Sequence, residues 1–488
     1  MSKYLLEFAS GTLLLRQDEC SATDTLSLPE GLQRFFRKDE RMGEGIHRAS
    51  AMDYAPILRT AHELGVDLED RARDYETLSL SIHNPYEPME HQKRAMECWR
   101  AAHARGTVVM PTGSGKTYFA VRCIAAVNRS AIVLAPTIDL MVQWARELEK
   151  FFHVPVGMLG GGSREIKPLT VSTYDSAVLM MEFIGNKFGL IVFDECHHLP
   201  GAVNRLAASM CIAPYRLGLT ATPEREDDGE QVNELLIGKV VYRTFIDELE
   251  GNVLSPYVTH RLRVELSAEE LAEYREARKL YTDFVRRNRI DFSRKEAWGE
   301  FIALCARMPG GKEAFRGYLR QRQIARCGKA KLQLVWELIR KHRSERILVF
   351  TADNDAAYQM GEAFCMPVLT HKTKAAERRE FLEKFRSGEY GVLLTSKVLN
   401  EGVDVPEASV GIVVSGSGST REHVQRLGRI LRAKEGKKAV LYELVSEGTS
   451  EMRVSDRRRK NRAYEQKRDR LYREMEENEG GTVFHADA

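Results

Sequence analysis

The sequence has little net charge, no closely spaced pair of cysteines and no long apolar run. Its 73 Lys and Arg against 70 Asp and Glu leave a formal charge of +3, so any basic surface for nucleic acid must be local. The eight cysteines are scattered without a CxxC pair, which argues against a zinc module and a disulfide framework. No apolar stretch is long enough to span a bilayer, and Met1 to Leu15 does not have the pattern of a secretory signal. These absences predict a cytoplasmic, intracellular protein without a membrane partner.

Length and composition predict several domains. The 488 residues suggest about three or four domains, and the 43% of apolar residues can fill several cores. Short apolar runs alternate with helical patterns from about Glu87 to Phe245 and again from Arg346 to Leu444. Such alternation favours βαβ units and parallel sheets that are buried on both faces. The predicted fold class is therefore α/β, with two parallel-sheet lobes.

The remaining segments have other patterns. Short strand-like runs before the turn at His83 to Pro85 indicate a small α+β module. Long helical patterns between about Leu266 and Arg326, broken at Met308 to Gly311, indicate a helical insertion, and charged residues dominate after Glu451. The predicted divisions are an N-terminal module (1–82), a first lobe (83–250), a helical insertion (251–330), a second lobe (331–450), and a charged C-terminal helix and tail (451–488).

The segment Met110 to Thr117 has the setting that a phosphate loop requires, because it follows a predicted strand and opens a helical run. Gly113 and Gly115 let backbone N–H groups curl around phosphates, and the helix directs its positive end at the anion. Lys116 can reach the β and γ phosphates, and Thr117 can ligate Mg²⁺. The predicted nucleotide-binding residues are Pro111, Thr112, Gly113, Ser114, Gly115, Lys116 and Thr117.

Two acidic residues, Asp194 and Glu195, follow the apolar run Leu190 to Phe193. A carboxylate at the end of a buried strand is placed to bind Mg²⁺ in such folds, and its neighbour can orient or polarise the attacking water. Asp194 is therefore predicted to bind Mg²⁺ together with Thr117. Glu195 is the predicted catalytic carboxylate, and it acts with Lys116.

The sequences DECH (Asp194 to His197) and GLTATP (Gly218 to Pro223) resemble motifs II and III of superfamily-two helicases. The resemblance implies two RecA-like lobes, ATP as the nucleotide and Mg²⁺ as its metal. Gln92 resembles the glutamine that reads adenine in that family. The preceding Glu87 to His91 departs from the usual Leu-Arg-x-Tyr pattern.

Three further parts of the chain resemble motifs that contact the nucleic-acid strand in these helicases. Leu134 to Thr137 together with Leu140 to Trp144 resembles motif Ia, Val171 to Tyr174 resembles the next strand-contacting motif, and Thr395 to Asp404 resembles motif V. Loops at the carboxyl ends of parallel strands line one crevice, where hydroxyl and N–H groups can bind phosphates without reading sequence. The predicted nucleic-acid contacts in these segments are Pro136, Thr137, Thr173 and Thr395.

The sequence QRLGRILR, Gln425 to Arg432, resembles motif VI. Arg429 and Arg432 lie three residues apart, so on a helix they share a face and can reach the charge of the transition state. These two arginines are the predicted arginine fingers. Gly402 and Asp404, in the motif V segment, are expected to complete the ATP site with them.

One more element narrows the resemblance. Arg225, Glu226 and Asp227 resemble the Arg-Glu-Asp element of the xeroderma pigmentosum group B (XPB) helicases, and we count them as predicted nucleic-acid contacts. In that family a damage-recognition module precedes the first lobe and a helical thumb precedes the second, a layout that this chain fits. The resemblance, to the bacterial or archaeal form, implies 3′ to 5′ polarity, work in repair similar to nucleotide excision, forked or junction DNA as substrate, and a nuclease as partner.

Three other interpretations stay open. The same motor can move or remodel duplex DNA without separating its strands. ATP can also act only as a switch in a DNA-binding scaffold that recruits a nuclease. RNA is a third possible substrate, although the Arg-Glu-Asp element and DECH in place of DEAD disfavour it.

Overall fold

The structure, a computed structural model, describes nine stretches of the chain: residues 4–17, 28–39, 46–221, 229–249, 253–255, 257–294, 296–396, 408–415 and 439–459. The described residues form two compact units. One unit extends to Phe245 and the other begins at Ile246. The first contains two sheets and the second contains one.

The first sheet is five-stranded, with the order β3-β4-β2-β1-β5, and only the pair β1 and β5 is parallel. Together with two helices it makes the small α+β module that the sequence predicts. Its elements are β1 (Tyr4–Ala9), β2 (Thr12–Gln17), α1 (Glu30–Gln33), β3 (Arg37–Lys38), β4 (His47–Ser50), α2 (Tyr54–Glu63) and β5 (Leu68–Asp70).

The second sheet is eight-stranded, in the order β13-β6-β12-β11-β7-β10-β8-β9, and all neighbours are parallel except β8 and β9. Its elements are α3 (Glu90–Ala101), β6 (Arg105–Val109), α4 (Lys116–Val127), β7 (Ala131–Ala135), α5 (Ile138–Phe152), β8 (Gly157–Gly160), β9 (Ser163–Arg164), β10 (Leu169–Thr173), α6 (Tyr174–Ile184), β11 (Leu190–Phe193), α7 (Arg205–Ser209), β12 (Tyr215–Thr220), α8 (Gly229–Leu236) and β13 (Val240–Arg243).

Continuous apolar runs explain the central strands of this sheet. All residues of β7 and β11 are buried, and both strands begin and end at the residues that the sequence predicts. Successive side chains alternate between two cores: Val133 and Val192 pack with α4 and α5, whereas Ile132 and Ile191 pack with α6 and α7. The α/β fold class with a doubly covered parallel sheet is confirmed here.

The N-terminal module packs directly on this sheet within the first unit. Ile212, from the loop before β12, is buried in the core of the module. Backbone groups also join the two parts, because Ser130 N donates to Glu76 O at 2.9 Å and Gly11 N donates to Glu182 O at 3.1 Å. The predicted division at residues 82 and 83 thus separates two sheets that share one compact unit.

The second unit is built on a six-stranded sheet in the order β14-β19-β18-β15-β17-β16, with every neighbouring pair parallel. Its elements are α9 (Ile246–Leu249), β14 (Tyr257–Val264), α10 (Ala268–Arg287), α11 (Ala297–Arg307), α12 (Gly311–Cys327), α13 (Lys329–Lys341), β15 (Ile347–Phe350), α14 (Asn354–Phe364), β16 (Val368–Leu369), α15 (Ala375–Ser387), β17 (Val392–Thr395), β18 (Val410–Val413), β19 (Ala439–Ser446) and α16 (Ser450–Arg459).

The predicted helical insertion contains α10, α11 and α12, and α12 begins at the predicted break. Its predicted start at residue 251 differs from the structure, because β14 pairs along its whole length with β19. This strand lies at an edge and contains four polar residues, so it lacks the continuous apolar run by which buried parallel strands are recognised. Within the described residues, no helix has the length and apolarity needed to cross a bilayer.

A buried lysine joins the insertion to the second sheet. Lys331, at the start of α13, is fully buried, and its ammonium donates to the Ala325 carbonyl at 2.9 Å and to the carboxylate of Glu451. The same carboxylate accepts from Ser446 N at 3.2 Å, and Ser450 N donates to the Tyr274 hydroxyl at 2.9 Å. These bonds tie α10, α12 and α13 to the end of β19 and the start of α16.

We expect the substitution Lys331→Met to lower the free energy of unfolding of the second unit by about 3 to 5 kcal/mol, because the Glu451 carboxylate then stays buried without its cation. The measurement is the melting midpoint of the full chain. The exposed neighbour Lys329 provides the control, and Lys329→Met should change stability by about 0.5 kcal/mol or less. The double variant with Glu451→Leu should recover most of the loss. A double variant as unstable as Lys331→Met would contradict this account.

Candidate functional site

The loop between β6 and α4 turns sharply enough to curl around an anion. Gly113 and Gly115 have φ of 86° and 84°, in the left-handed region that residues with a side chain rarely adopt. Because α4 begins at Lys116, the unpaired N–H groups of its first turn face the loop. The predicted phosphate-binding residues therefore form one continuous cradle at the carboxyl end of β6.

Polar groups inside this cradle fit a phosphate ligand. The Lys116 ammonium donates to the carbonyl of Met110 at 3.2 Å, so it lies against its own loop. The Ser114 hydroxyl donates to the carbonyl of Pro111 at 2.8 Å. The Thr112 hydroxyl is buried and has no hydrogen-bond partner among the described residues. Since a buried polar group without a partner is costly, this hydroxyl suits a ligand with acceptor oxygens, such as a nucleotide phosphate.

Two side chains from the first turn of α3 hydrogen-bond to backbone carbonyls of the cradle. The His91 imidazole lies with Nε2 2.8 Å from the Ser114 carbonyl, and the Gln92 amide donates to the Gly115 carbonyl at 3.2 Å. The Gln92 carbonyl oxygen in turn accepts from Met89 N at 3.1 Å. A Cβ atom on Gly115 would lie 2.4 Å from Gln92 Nε2, so a side chain there would displace the Gln92 amide from the loop. That Gln92 contacts adenine stays a prediction; its described bonds are to the loop.

His91 was not predicted from the sequence as a site residue. Its ring is only 6% exposed, and burial lowers its pKa, so the neutral form is favoured. A neutral imidazole that faces a carbonyl must carry its proton on the facing nitrogen, which makes Nε2–H the donor. The sequence feature that could have indicated His91 is its position directly before Gln92, where the usual pattern of superfamily-two helicases has tyrosine. That position did not reveal the partner, which lies 23 residues away in the chain.

The acidic pair lies at the carboxyl end of β11, as predicted. Asp194 is buried; the indole N–H of Trp144 donates to its Oδ2 at 2.7 Å, and the Tyr174 hydroxyl donates to its backbone carbonyl at 3.0 Å. Glu195 N donates to Asp194 Oδ1 at 3.0 Å. Glu195 itself has φ of 46°, a left-handed conformation that is uncommon outside glycine and clusters at functional sites.

The pKa of Asp194 depends on charged groups of both the acidic pair and the cradle. Burial raises the pKa of Asp194 to about 6, and the charge of Glu195 adds to the rise. The Trp144 indole and the Lys116 ammonium act in the opposite direction, since both favour the carboxylate. A divalent cation would favour that charged form further. The buried carboxylate, close to the lysine of the phosphate loop, fits a Mg²⁺ ligand.

The site offers few protein donors for a metal ion, which is typical of Mg²⁺ bound together with a nucleotide. Among the described residues no three His, Cys, Asp or Glu side chains converge on a metal site of their own. Mg²⁺ in nucleotide sites takes one or two protein oxygens and completes its shell with phosphates and water. Thr117, in the first turn of α4, and Asp194 are oxygen donors of that kind.

The acidic pair is also joined to the end of β12, where the sequence resembles motif III. The His197 ring is buried, with Nδ1 3.4 Å from Glu195 Oε2 and 3.3 Å from the Thr220 hydroxyl. Met110 N, at the start of the cradle, donates to Thr220 O at 3.0 Å. Phosphate loop, acidic pair and motif III thus form one connected set of loops at a single edge of the sheet.

Those predicted nucleic-acid contacts of the first unit that are among the described residues lie at this edge. Thr137 follows β7 and Pro136, and its hydroxyl caps α5 by accepting from Leu140 N at 3.3 Å. Thr173 ends the neighbouring β10 and caps α6 by accepting from Ser176 N at 3.2 Å. In the second unit, Thr395 ends β17 and is fully buried, with its hydroxyl donating to the Ser396 carbonyl at 3.1 Å. The hydroxyls of all three threonines therefore already have partners within the chain.

Seven predicted site residues lie outside the described residues: Arg225, Glu226, Asp227, Gly402, Asp404, Arg429 and Arg432. Trp144 and Tyr174, in contrast, are described and contact Asp194, although neither was predicted as a site residue. Trp144 belongs to the segment that resembles motif Ia, but no local signal indicates that its indole reaches a carboxylate 50 residues away.

Family models match three parts of the chain. A model of the damage recognition domain of xeroderma pigmentosum group B helicases matches residues 6–72, which span the N-terminal sheet. A model described as type III restriction enzyme, res subunit, matches residues 85–225, and one described as ERCC3/RAD25/XPB C-terminal helicase matches residues 310–479. A solved structure, S. cerevisiae Dbp5 bound to RNA and ADP BeF3, has a TM-score of 0.53 at 15% identity and covers 78% of this chain and 88% of its own, a likeness of fold.

Relatives that match most of this chain are named XPB or Rad25, which are also the names in the description of the C-terminal family model. The DNA 3'-5' translocase XPB2 of Sulfurisphaera tokodaii is 38% identical over 413 residues, which cover 85% of this chain and 93% of that protein. The DNA 3'-5' helicase XPB of Mycobacterium tuberculosis is 30% identical over 401 residues, 79% of this chain and 66% of that protein. The putative DNA 3'-5' helicase Rad25 of Halobacterium salinarum is 30% identical, and this chain spans 61% of its length. With phosphate loop, DECH and damage-recognition module in the family's order, the chain belongs to the XPB family of helicases.

Proposed function

We propose that the chain is an ATP-driven 3′ to 5′ DNA helicase or translocase that acts in DNA repair. The observation that carries the proposal is the placement of the phosphate loop beside the acidic pair at one edge of a parallel sheet. There the Lys116 ammonium favours the charged form of the Asp194 carboxyl. The relatives named as 3'-5' DNA helicases and translocases support the substrate and the polarity. Forked or junction DNA is the substrate that we propose.

ATP binding begins with the cradle. The N–H groups of Gly113 to Thr117 surround the phosphates, and the Thr112 hydroxyl gains an acceptor. Lys116 exchanges the Met110 carbonyl for the β and γ phosphates. His91 and Gln92 keep the loop in the shape that presents these groups.

Hydrolysis then depends on the acidic pair. Thr117 and Asp194 would hold Mg²⁺, which neutralises charge on the phosphates when bound. Glu195 orients the attacking water and accepts its proton, and His197 beside it connects that carboxylate to Thr220. We assign Arg429 and Arg432 as the arginines that stabilise the transition state, and Gly402 and Asp404 as further nucleotide contacts.

The helix caps at Thr137 and Thr173 indicate which groups are left to contact DNA. Because the hydroxyls of Thr137 and Thr173 already cap α5 and α6, we assign the phosphate contacts near them and Pro136 to backbone N–H groups at those helix starts. Thr395 is buried, so its proposed contribution is to position the segment that follows. Arg225, Glu226 and Asp227 complete the proposed set, and contacts of this kind bind phosphates and weaken with salt. A nuclease remains the proposed protein partner.

A duplex translocase that does not separate strands is the second candidate, favoured by the name of the Sulfurisphaera relative. Two assays distinguish the candidates: unwinding of a forked duplex and displacement of the third strand of a triplex. Displacement together with unwinding supports a helicase. Displacement alone identifies a translocase.

The substitutions Lys116→Ala and Glu195→Gln test whether turnover is the function. We expect each to lower DNA-stimulated ATP hydrolysis by about 100-fold or more, since one removes a phosphate contact and the other the proton acceptor. DNA binding without nucleotide should be unchanged. The exposed Glu165 provides the control, and Glu165→Gln should leave turnover intact. Negligible DNA-stimulated turnover in the unsubstituted chain, with DNA binding retained in both variants, would indicate a scaffold instead.

His91→Phe tests the support behind the phosphate loop. The ring still fills its buried place, but the Ser114 carbonyl loses its short bond from His91 and keeps only the 3.4 Å bond from the Gln92 amide. We therefore expect the KM for ATP to rise about tenfold with a smaller change in kcat. Steady-state hydrolysis at saturating DNA separates the two constants. Arg94→Ala, on the exposed face of α3, is the control. A fall in kcat at unchanged KM would show that His91 does not act through nucleotide binding.

Trp144→Phe tests the partner of Asp194. Loss of the indole N–H removes a bond to a charged group, so we expect the Mg²⁺ concentration for half-maximal hydrolysis to rise about tenfold. The matched control is Trp99→Phe, because Trp99 is also buried but donates to the Arg216 carbonyl at 3.1 Å, at the other end of β12. Equal Mg²⁺ dependence in the two variants would contradict the assignment of Asp194 to the metal.

A further inference from the structure

A groove of about 630 Å³ lies on the second unit, beside the last two turns of α13 and the amino ends of β15 and β17. We call it the α13 groove. It lies at the amino end of β17, where Val392 lines it, whereas the predicted nucleic-acid contact Thr395 ends the same strand. None of the motifs discussed above contributes to its lining.

An aromatic side chain on the groove is held in place and still exposed. Trp336 is 41% exposed, and one part of its ring stacks on Phe364 of α14 with the centroids 5.5 Å apart and the planes at 25°. The stacking fixes the indole before any partner arrives, which reduces the entropy lost on binding. Exposed tryptophan is among the residues that contribute most at protein interfaces.

The floor of the groove is apolar. Ile339 and Ile347 are buried, and they line the groove with Val392 and the backbone of Gly391. An apolar floor under an exposed indole suits a side chain that inserts from a partner. A groove of this volume can accept one or two such side chains.

The rim carries cations that no carboxylate of the described residues neutralises. Arg340, Lys341 and Arg343 are exposed, and none of them has an ion-pair partner among the described residues. Glu345 lies on the same rim, but it is bound to His342 Nδ1 at 2.8 Å. Glu337 is the other carboxylate there. The rim thus attracts a negatively charged group beside its three cations and repels one beside its two carboxylates.

This pattern favours a peptide over a nucleic acid. A nucleic-acid strand carries a charge on every nucleotide, so some phosphates would face Glu337 or Glu345. An acidic peptide can place its carboxylates only beside the cations and insert an apolar side chain between them. The apolar floor adds to the binding of the peptide and contributes little to a phosphate backbone.

We propose that the α13 groove is a docking site for an acidic peptide segment of a partner protein, in which one apolar or aromatic residue inserts beside Trp336 and carboxylates pair with Arg340, Lys341 and Arg343.

The test uses the full chain and a phage-displayed library of random twelve-residue peptides. The library is selected on the unsubstituted protein after depletion on the Arg343→Glu variant. We expect the recovered peptides to be rich in Asp and Glu around one apolar or aromatic residue. Recovery of basic sequences, or of no consensus, would overturn the proposal.

The best recovered peptide is then synthesised with a fluorescent label and titrated by anisotropy. We expect Arg343→Glu and Trp336→Ala each to raise Kd by on the order of tenfold or more, because they reverse a rim charge and remove the anchor contact. Arg379→Glu, an exposed charge reversal on α15 outside the groove, is the matched control and should leave Kd unchanged. Equal Kd values for Arg343→Glu and Arg379→Glu would overturn the proposal.

Two controls separate docking from folding and from nucleic-acid binding. Arg343→Glu should keep the melting midpoint and the DNA-stimulated hydrolysis of the unsubstituted chain, which shows that the charge acts on the peptide alone. A ten-nucleotide thymidine strand should not displace the labelled peptide. Displacement by that strand would identify the groove as a nucleic-acid surface and overturn the proposal.

Discussion

Parallel strands that are buried on both faces end at one edge of their sheet, and the loops that leave that edge share a crevice. In the first unit this constraint gathers loops that are far apart in sequence. The cradle follows β6, the acidic pair follows β11, and Thr220 ends β12 between them. The chemistry of the site depends on this arrangement, because none of these segments has a complete set of phosphate, metal and water contacts alone.

The strands that form the crevice are buried, so polar groups at their ends need hydrogen-bond partners within the chain. A carboxylate as deeply buried as Asp194 is stable only with partners, and it has the Trp144 indole and Glu195 N as donors. Carbonyls of the phosphate loop are likewise satisfied from α3, by His91 and Gln92. Residues outside the recognised motifs thus hold the reactive groups in position, as supporting shells do around metal ligands.

The sequence predicted the elements that have strong local patterns. Fully apolar runs identified β7 and β11 with the bounds that the structure gives them, and glycines before a lysine identified the cradle. It did not predict β14, whose polar residues suit an edge, or β8, which begins and ends with glycine. Nor did it predict His91 or Trp144, because each acts on a partner that only the folded sheet brings near. Local periodicity reports burial, whereas a hydrogen bond between distant segments leaves no local pattern.

The central claim is that ATP turnover at this crevice moves the chain along DNA in one direction. It is tested most directly on two otherwise identical duplexes, one with a single-stranded 3′ tail and one with a single-stranded 5′ tail, in the presence of ATP and Mg²⁺. Strand separation and displacement of a protein bound to the duplex are measured on both. The account predicts strand separation, or displacement of a blocking protein, on the substrate with the 3′ tail only. Equal activity on both tails, or activity without ATP, would contradict it.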